Sequence, residues 1–330
     1  MTALAPTLQA FFTERLSRQL NASPDTIDSY RHAWRLVLRF ASQRTGIRPA
    51  DLDLSDITAP LVGDFLDDLE VRRNNTPATR NVRLAAIHSM FTFAAPLHPE
   101  HAHLIAQVLA IPTKRHETAL ISFLTDEEIT ALLTAPDRGN WTGRRDHLML
   151  LILATTGLRV SELTALTNAD VQLGVGAHVA CRGKGRRTRH TPLLSAVAAE
   201  LSAWQRENPG PPEGILFPAR GTHRQLSTDA VRCRLAKHVE TASRKYPELT
   251  GKTITPHVLR HSCAMLLLGA GNDITIIALW LGHQNPRSTR AYLHADLELK
   301  QRALDRTAPP ETKPGRYKPS DQLLAFLDAL

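Results

Sequence analysis

Four residues suited to handling a phosphate fall within one 38-residue stretch, TPHVLRHSCAMLLLGAGNDITIIALWLGHQNPRSTRAY, Thr255 to Tyr292. They are His257, Arg260, His283 and Tyr292. The His257-x-x-Arg260 spacing puts an imidazole and a guanidinium on one face of a helix that starts after Pro256. Arginine clamps phosphate because its planar fork donates two hydrogen bonds and keeps its charge. Histidine moves protons near neutral pH. A tyrosine becomes a nucleophile once cations stabilise its phenolate, since its free pKa is near 10. Each feature also has an ordinary reading: a surface pair for His257 and Arg260, and a packed, hydrogen-bonded hydroxyl for Tyr292.

Two more cations stand earlier in the chain. Arg159, in TTGLRVSEL, follows the helix stop Gly157 and opens the next helix, where backbone amides and the helix dipole favour an anion. The alternative there is a pairing with Glu162. Lys184 sits between Gly183 and Gly185, at the tip of a hairpin predicted over 177–193. Arg182, Arg186, Arg187 and Arg189 surround it, and such a dense basic ribbon suits contact with a nucleic-acid backbone.

The elements that must position these residues fall into two groups. Residues 6–111 read as helices alone, with starts at Ser23-Pro24, Thr58-Ala59-Pro60 and Thr76-Pro77. Leu8, Phe11, Phe12 and Leu16 mark the first apolar face. Later faces are marked by Ile27, Tyr30, Trp34, Val37 and Ala41, by Leu61, Phe65 and Leu69, and by Val82, Ile87, Met90 and Phe91. A fifth helix covers about 101–110. Arg72, Arg73, Arg80 and Arg83 are expected on the opposite, solvent face, as a DNA-backbone patch or simply a solvated one. Residues 112–121, with Pro112, Lys114 and Arg115, read as a basic linker. A capping box, Thr125 to Glu128, then opens a second domain at 122–306. Helices are expected near 143–156, 195–206, 227–245, 256–270 and 273–281, with short ones near 287–293 and 296–306. The tail, 307–330, ends in an amphipathic piece carrying Leu323, Leu324, Phe326 and Leu327.

Bulk properties narrow the class. The net charge is +8 and the pI about 9.7, which fits an anionic partner. Three scattered cysteines form neither a disulfide framework nor a zinc pattern, so a reducing, cytoplasmic setting is expected. His98, His101 and His103 cluster without a completing ligand set, so no metal is expected. There is no P-loop, H-E-x-x-H or G-x-S-x-G motif. No signal peptide or membrane span is evident.

Taken together, Arg159 in TTGLRVSEL, Lys184 in GKGRRTRHTPL, His257 and Arg260 in TPHVLRHSCA, His283 in LGH and Tyr292 in STRAYLH resemble the tyrosine recombinases, the phage integrase family. The motifs come in the family's order over about 155–293. The resemblance implies a mainly α fold with a small β-sheet: a helical, SAM-like core-binding domain at 1–111 and a mixed α/β catalytic domain. It implies site-specific cleavage and rejoining of double-stranded DNA through a 3′-phosphotyrosyl link, by a tetramer on two DNA sites, with no cofactor and no metal. Arg159 and Arg260 would grip the scissile phosphate, Tyr292 would attack, and Lys184 would protonate the leaving oxygen. His257 would serve the tyrosine as acid/base, and His283 would bond the phosphate. The tail would dock on a neighbouring subunit or on its own domain. With its first helix so near Met1, the chain resembles the simpler Xer or mobile-element kind. A topoisomerase-like relaxing enzyme and an inactive DNA-binding regulator are the competing readings.

Overall fold

A computed structural model describes residues 4–115, 121–183, 188–282 and 292. The expected helices near 287–293 and 296–306 and the tail at 307–330 lie outside this set, Tyr292 excepted. The chain divides into two compact units, Met1–Ala119 and Leu120–Leu330.

The first unit is helical. It opens with α1, Leu4–Ala10, continued by a π-helical segment, Phe11–Gln19. The wider winding suits the sequence: Phe11 and Leu16, five apart, share the buried face, and Leu20 N–H donates to Arg15 O. Next come α2, Pro24–Thr45; α3, Ala59–Val71; α4, Pro77–Ala94; and α5, Ala102–Leu109. Ser23, Thr58 and Thr76 each accept a backbone N–H three residues on, with proline in the first turn. Helix α2 stops at Gly46, whose φ of 74° is the left-handed cap conformation. Trp34, Val37, Phe65, Leu69, Ile87 and Phe91 close one core.

One face assignment differs from expectation. Arg80 is buried, whereas Val82 is 47% exposed. The buried row of α4 runs Arg80, Leu84, Ile87, Phe91 and Ala94, at spacings of three and four, and Val82 falls outside it. Arg80 is tolerated inside because its Nη1 donates to Pro112 O at 3.3 Å and Asn81 Oδ1 at 3.2 Å. Arg83 is half-buried and donates to Ser29 O at 3.4 Å. The expected arginine patch therefore splits: Arg72 and Arg73 are exposed, Arg80 and Arg83 turn inward. Lys114 and Arg115 are also exposed, Lys114 paired with Glu70 at 2.5 Å.

The second unit begins with α6, Asp126–Thr134, under the Thr125–Glu128 capping box. Helix α7, Trp141–Thr156, is buried nearly all round and is the unit's central rod. After α8, Val160–Ala165, come three antiparallel strands in the order of the chain: β1, Val171–Gln172; β2, His178–Arg182; and β3, Thr188–Pro192. Arg182 pairs with Thr188, so the strands carry the chain to either side of 183–187. Helices α9, Ser195–Glu207; α10, Thr228–Ser243; α11, Pro256–Gly269; and α12, Ile274–Leu281 complete the described part. The core runs from Leu132 through Leu148 and Leu153 to Leu259.

Candidate active site

The C-terminal end of α7 organises the site. A helix leaves its last carbonyls without intrahelical donors, and here side chains of α11 and α12 supply them. Trp280 Nε1 donates to Thr156 O at 3.1 Å, and Arg260 Nη1 to Gly157 O at 2.5 Å. Arg260 Nη2 donates to Leu281 O at 2.6 Å, at the end of α12. Gly157 has φ 64°, and a Cβ there would stand 2.5 Å from Leu281 Cδ2 and 3.3 Å from Cys263 Sγ. Glycine is thus required by conformation and by close packing. Arg260 is 4% exposed. Burial first, then the neighbouring charge of Arg159, brings its pKa down to about 10, so it remains a cation at neutral pH.

Arg159 stands just before α8 in extended conformation. Its backbone N–H donates to Glu162 Oε2 at 2.8 Å and its Nη1 to Oε1 at 2.9 Å. The anion at this helix start is therefore the chain's own carboxylate. Glu162 is also met by Arg189, whose Nη1 and Nη2 reach its two oxygens at 2.9 and 2.7 Å. Burial alone would raise the Glu162 pKa, but the bonds from Arg189 and Arg159 bring it down to about 2.

Arg189 was expected to face DNA, and the structure places it differently. Its side chain is 14% exposed, forks onto Glu162 and lies against Gly282, whose Cβ, if present, would meet it at 3.0 Å. The strand alternation explains this: Arg189 pairs with buried Cys181, on the inward side of the sheet. The basic ribbon therefore turns one of its arginines to the interior.

His257, in the first turn of α11, is exposed. The surrounding protein, then the charges of Arg260, Arg159 and Arg232, hold its pKa below that of a free imidazole. It is neutral at pH 7. Tyr292 is 1% exposed, and its hydroxyl lies 3.0 Å from His261 Nδ1. Burial raises the Tyr292 pKa, while Arg260 pulls it the other way. Arg159, Arg260, His257 and Tyr292 thus come together in one electrostatic neighbourhood. Lys184, Arg186, Arg187 and His283 lie outside the described residues, as does the side chain of Arg182.

The N-terminal histidines have other partners. His98 Nε2 is 2.9 Å from Thr7 Oγ1, and His103 Nε2 is 3.1 Å from Gln107 Nε2. Among the described residues no set of three His, Cys, Asp or Glu side chains converges to hold a metal.

Residues 122–298 match the phage integrase family, and residues 10–96 match the phage integrase N-terminal SAM-like domain. The chain belongs to the phage integrase family. It is a tyrosine recombinase, an enzyme of site-specific DNA recombination. It is 49% identical over 329 residues to y4rC of Sinorhizobium fredii (strain NBRC 101917 / NGR234), named as an integrase/recombinase, covering 99% of this chain and 98% of that one. It is 32% identical over 250 residues to the tyrosine recombinase XerC of Chlamydia trachomatis serovar L2, covering 73% and 74% of the two chains. Its fold is shared with the XerH site-specific recombinase bound to palindromic difH substrate, at a TM-score of 0.67 and 22% identity over 87% of this chain and 81% of that one. The Tn1549 transposon integrase in complex with circular intermediate DNA gives a TM-score of 0.68 at 17% identity, over 93% and 100% of the two chains.

For this recombinase the sequence alone did not single out two residues of the site. Glu162 was legible only as a partner of Arg159, and its second clasp, from Arg189, is a tertiary contact. His261 lies one residue beyond Arg260 and four beyond His257. The i, i+4 spacing was the available signal, but only the fold brings Tyr292 to it.

Proposed function

We propose that the recombinase cuts double-stranded DNA at Arg159, Lys184, His257, Arg260, His283 and Tyr292. The carrying observation is the pinned, buried Arg260, close enough to Arg159 and Tyr292 for their charges to perturb one another. Arg260 and the half-exposed Arg159 stabilise the negative charge that builds on the non-bridging oxygens as the phosphorus becomes pentacoordinate. Tyr292 attacks in line, forms the 3′-phosphotyrosyl bond and expels the 5′ oxygen, which takes a proton from Lys184. His257 and His283 bond the phosphate. Arg72, Arg73, Lys114 and Arg115 in the first unit, with Arg182, Arg186 and Arg187 in the hairpin, grip the DNA backbone. Four chains act on two sites in the cytoplasm, each strand exchange preserving the phosphodiester energy in the tyrosyl link.

The test uses duplexes selected from a random library by binding to the protein, then nicked beside the cleavage point to trap the intermediate. A covalent adduct lost in Tyr292→Phe, together with paired strand exchange, supports the proposal. An adduct with DNA relaxation and no exchange favours a relaxing enzyme. No adduct on any bound duplex favours a DNA-binding regulator.

A further inference from the structure

His257 and His261 lie one turn apart on α11, yet they face different surroundings. His257 is exposed, in the electrostatic company of Arg159, Arg260 and Arg232. His261 is half-buried, and its Nδ1 meets the Tyr292 hydroxyl at 3.0 Å. The two rings stand edge to face, with centroids 5.6 Å apart, which fixes the imidazole relative to the phenol. The distance lies within hydrogen-bond reach for a base and the proton it removes.

We propose that His261, not His257, is the catalytic base that takes the proton of Tyr292. The inference rests on Tyr292 being the nucleophile. In the step, the Tyr292 O–H bond breaks and its proton passes to His261 Nδ1 as the Oη–P bond forms. The P–O5′ bond breaks, and the leaving oxygen is protonated by Lys184. On rejoining, the 5′-hydroxyl gives its proton back to Lys184 as the O5′–P bond forms, the Oη–P bond breaks, and His261 returns its proton to the departing phenolate. Nδ1 must be the free nitrogen, so the working tautomer carries its proton on Nε2.

The electrostatics agree with this division. Among the described residues, the charged and titratable groups facing the pair are His257, Arg260 and Cys263, all on α11. Burial first, then His257 and Arg260, lowers the pKa of His261, so the ring is neutral and able to accept a proton at pH 7. Burial raises the pKa of Tyr292, so its phenolate does not form at pH 7 without a base.

The experiment measures single-turnover adduct formation on the nicked duplex by wild type, His261→Ala and His261→Asn, from pH 5 to pH 10. Asparagine can keep a hydrogen bond to the phenol but cannot take its proton. Wild type should reach a plateau once pH exceeds the lowered His261 pKa, and this acid limb should persist in His257→Ala. Both His261 variants should be slowed roughly 10²–10⁴-fold at pH 7 and speed up steadily with pH. A duplex with a 5′-bridging sulfur, whose thiolate leaves without a proton, should rescue Lys184→Ala and leave the His261 variants slow. The idea is overturned if His261→Asn cleaves at the wild-type rate, because the contact is then structural. It is equally overturned if sulfur rescues His261→Ala, or if His261→Ala cleaves faster than wild type. An absent wild-type adduct would instead sink the reading of Tyr292 as nucleophile, so the two failures are distinguishable.

Discussion

Asp146 and Glu162 are both buried carboxylates of the second unit, and both are held by arginines, yet they do different things. Asp146 Oδ1 accepts from Arg145 Nη2 at 2.9 Å, and Oδ2 from Arg234 Nη1 at 2.9 Å and His238 Nε2 at 3.0 Å. Arg145 is fully buried, donates onward to Pro218 O at 2.7 Å and lies 5.1 Å from the Trp141 ring centroid. That network faces inward and ties α7 to α10. Around Glu162 the carboxylate pairs with Arg159 and Arg189, while among the described residues the hydrogen bonds of Arg260 go only to carbonyl oxygens. Carbonyls satisfy its donors without neutralising its charge. In the first cluster both arginines share the one carboxylate, whereas the second adds Arg260, a cation hydrogen-bonded to carbonyls and set near a phenol. A concentration of buried arginines is not a site by itself; what sets the second cluster apart is a cation bonded to carbonyls in the electrostatic company of a buried phenol.

The comparison can be broken most sharply at Asp146. Asp146→Ala should strand Arg145 inside the protein and cost about 3–5 kcal/mol of stability, read by urea unfolding. Cleavage by the folded fraction at low temperature should stay within a few-fold of wild type. A large loss of single-turnover rate there would erase the distinction. Next in size, Arg260→Ala should lower the cleavage rate by roughly 10²–10³-fold. Near-normal cleavage by this variant would show that this cation is not used.

Glu162 sharpens the contrast through pH. Its pKa lies at about 2, below the ordinary 4.5. The stabilisation is therefore fully present above pH 4.5 and is lost as pH falls through 2, amounting to about 3 kcal/mol. Glu162→Gln should flatten that part of the stability curve, measured by unfolding between pH 2 and pH 5. An unchanged curve would mean that the pairing is not what holds the carboxyl ionised. The smallest effects belong to the first unit. Arg72→Ala and Arg73→Ala should alter stability by at most about 0.5 kcal/mol, while each lowers the slope of log binding constant against log salt by about 1. Arg80→Ala should do the reverse, costing roughly 1–3 kcal/mol through the carbonyl of Pro112 with the salt slope kept. A salt slope that depends on Arg80 would contradict its burial.

Much of this molecule was legible in advance because the signals are local. Ser23, Thr58, Thr76, Thr125 and Ser227 cap helices as their types and neighbours indicate, and Gly46 and Gly157 end helices in the left-handed conformation that glycine tolerates best. The paired strands β2 and β3 coincide with the β-type runs read on either side of Gly183-Lys184-Gly185. Arg80 and Val82 were exchanged because a face assigned from apolar residues alone cannot register an arginine that finds carbonyl partners. The same limit hid the inward turn of Arg189.

The sequence by itself determined the fold class, the boundaries of most of the described helices within a few residues, and a set of residue types that can hold and attack a phosphate. Those depend on spacing, propensity and side-chain chemistry, which act over one or two turns of chain. Tertiary structure alone decided which cation is bonded to carbonyls and which histidine meets the tyrosine. Arg260 reaches Gly157, 103 residues away, and His261 reaches Tyr292 across 31 residues. Such contacts are set by how α7, α11 and α12 pack, and no local pattern encodes that packing.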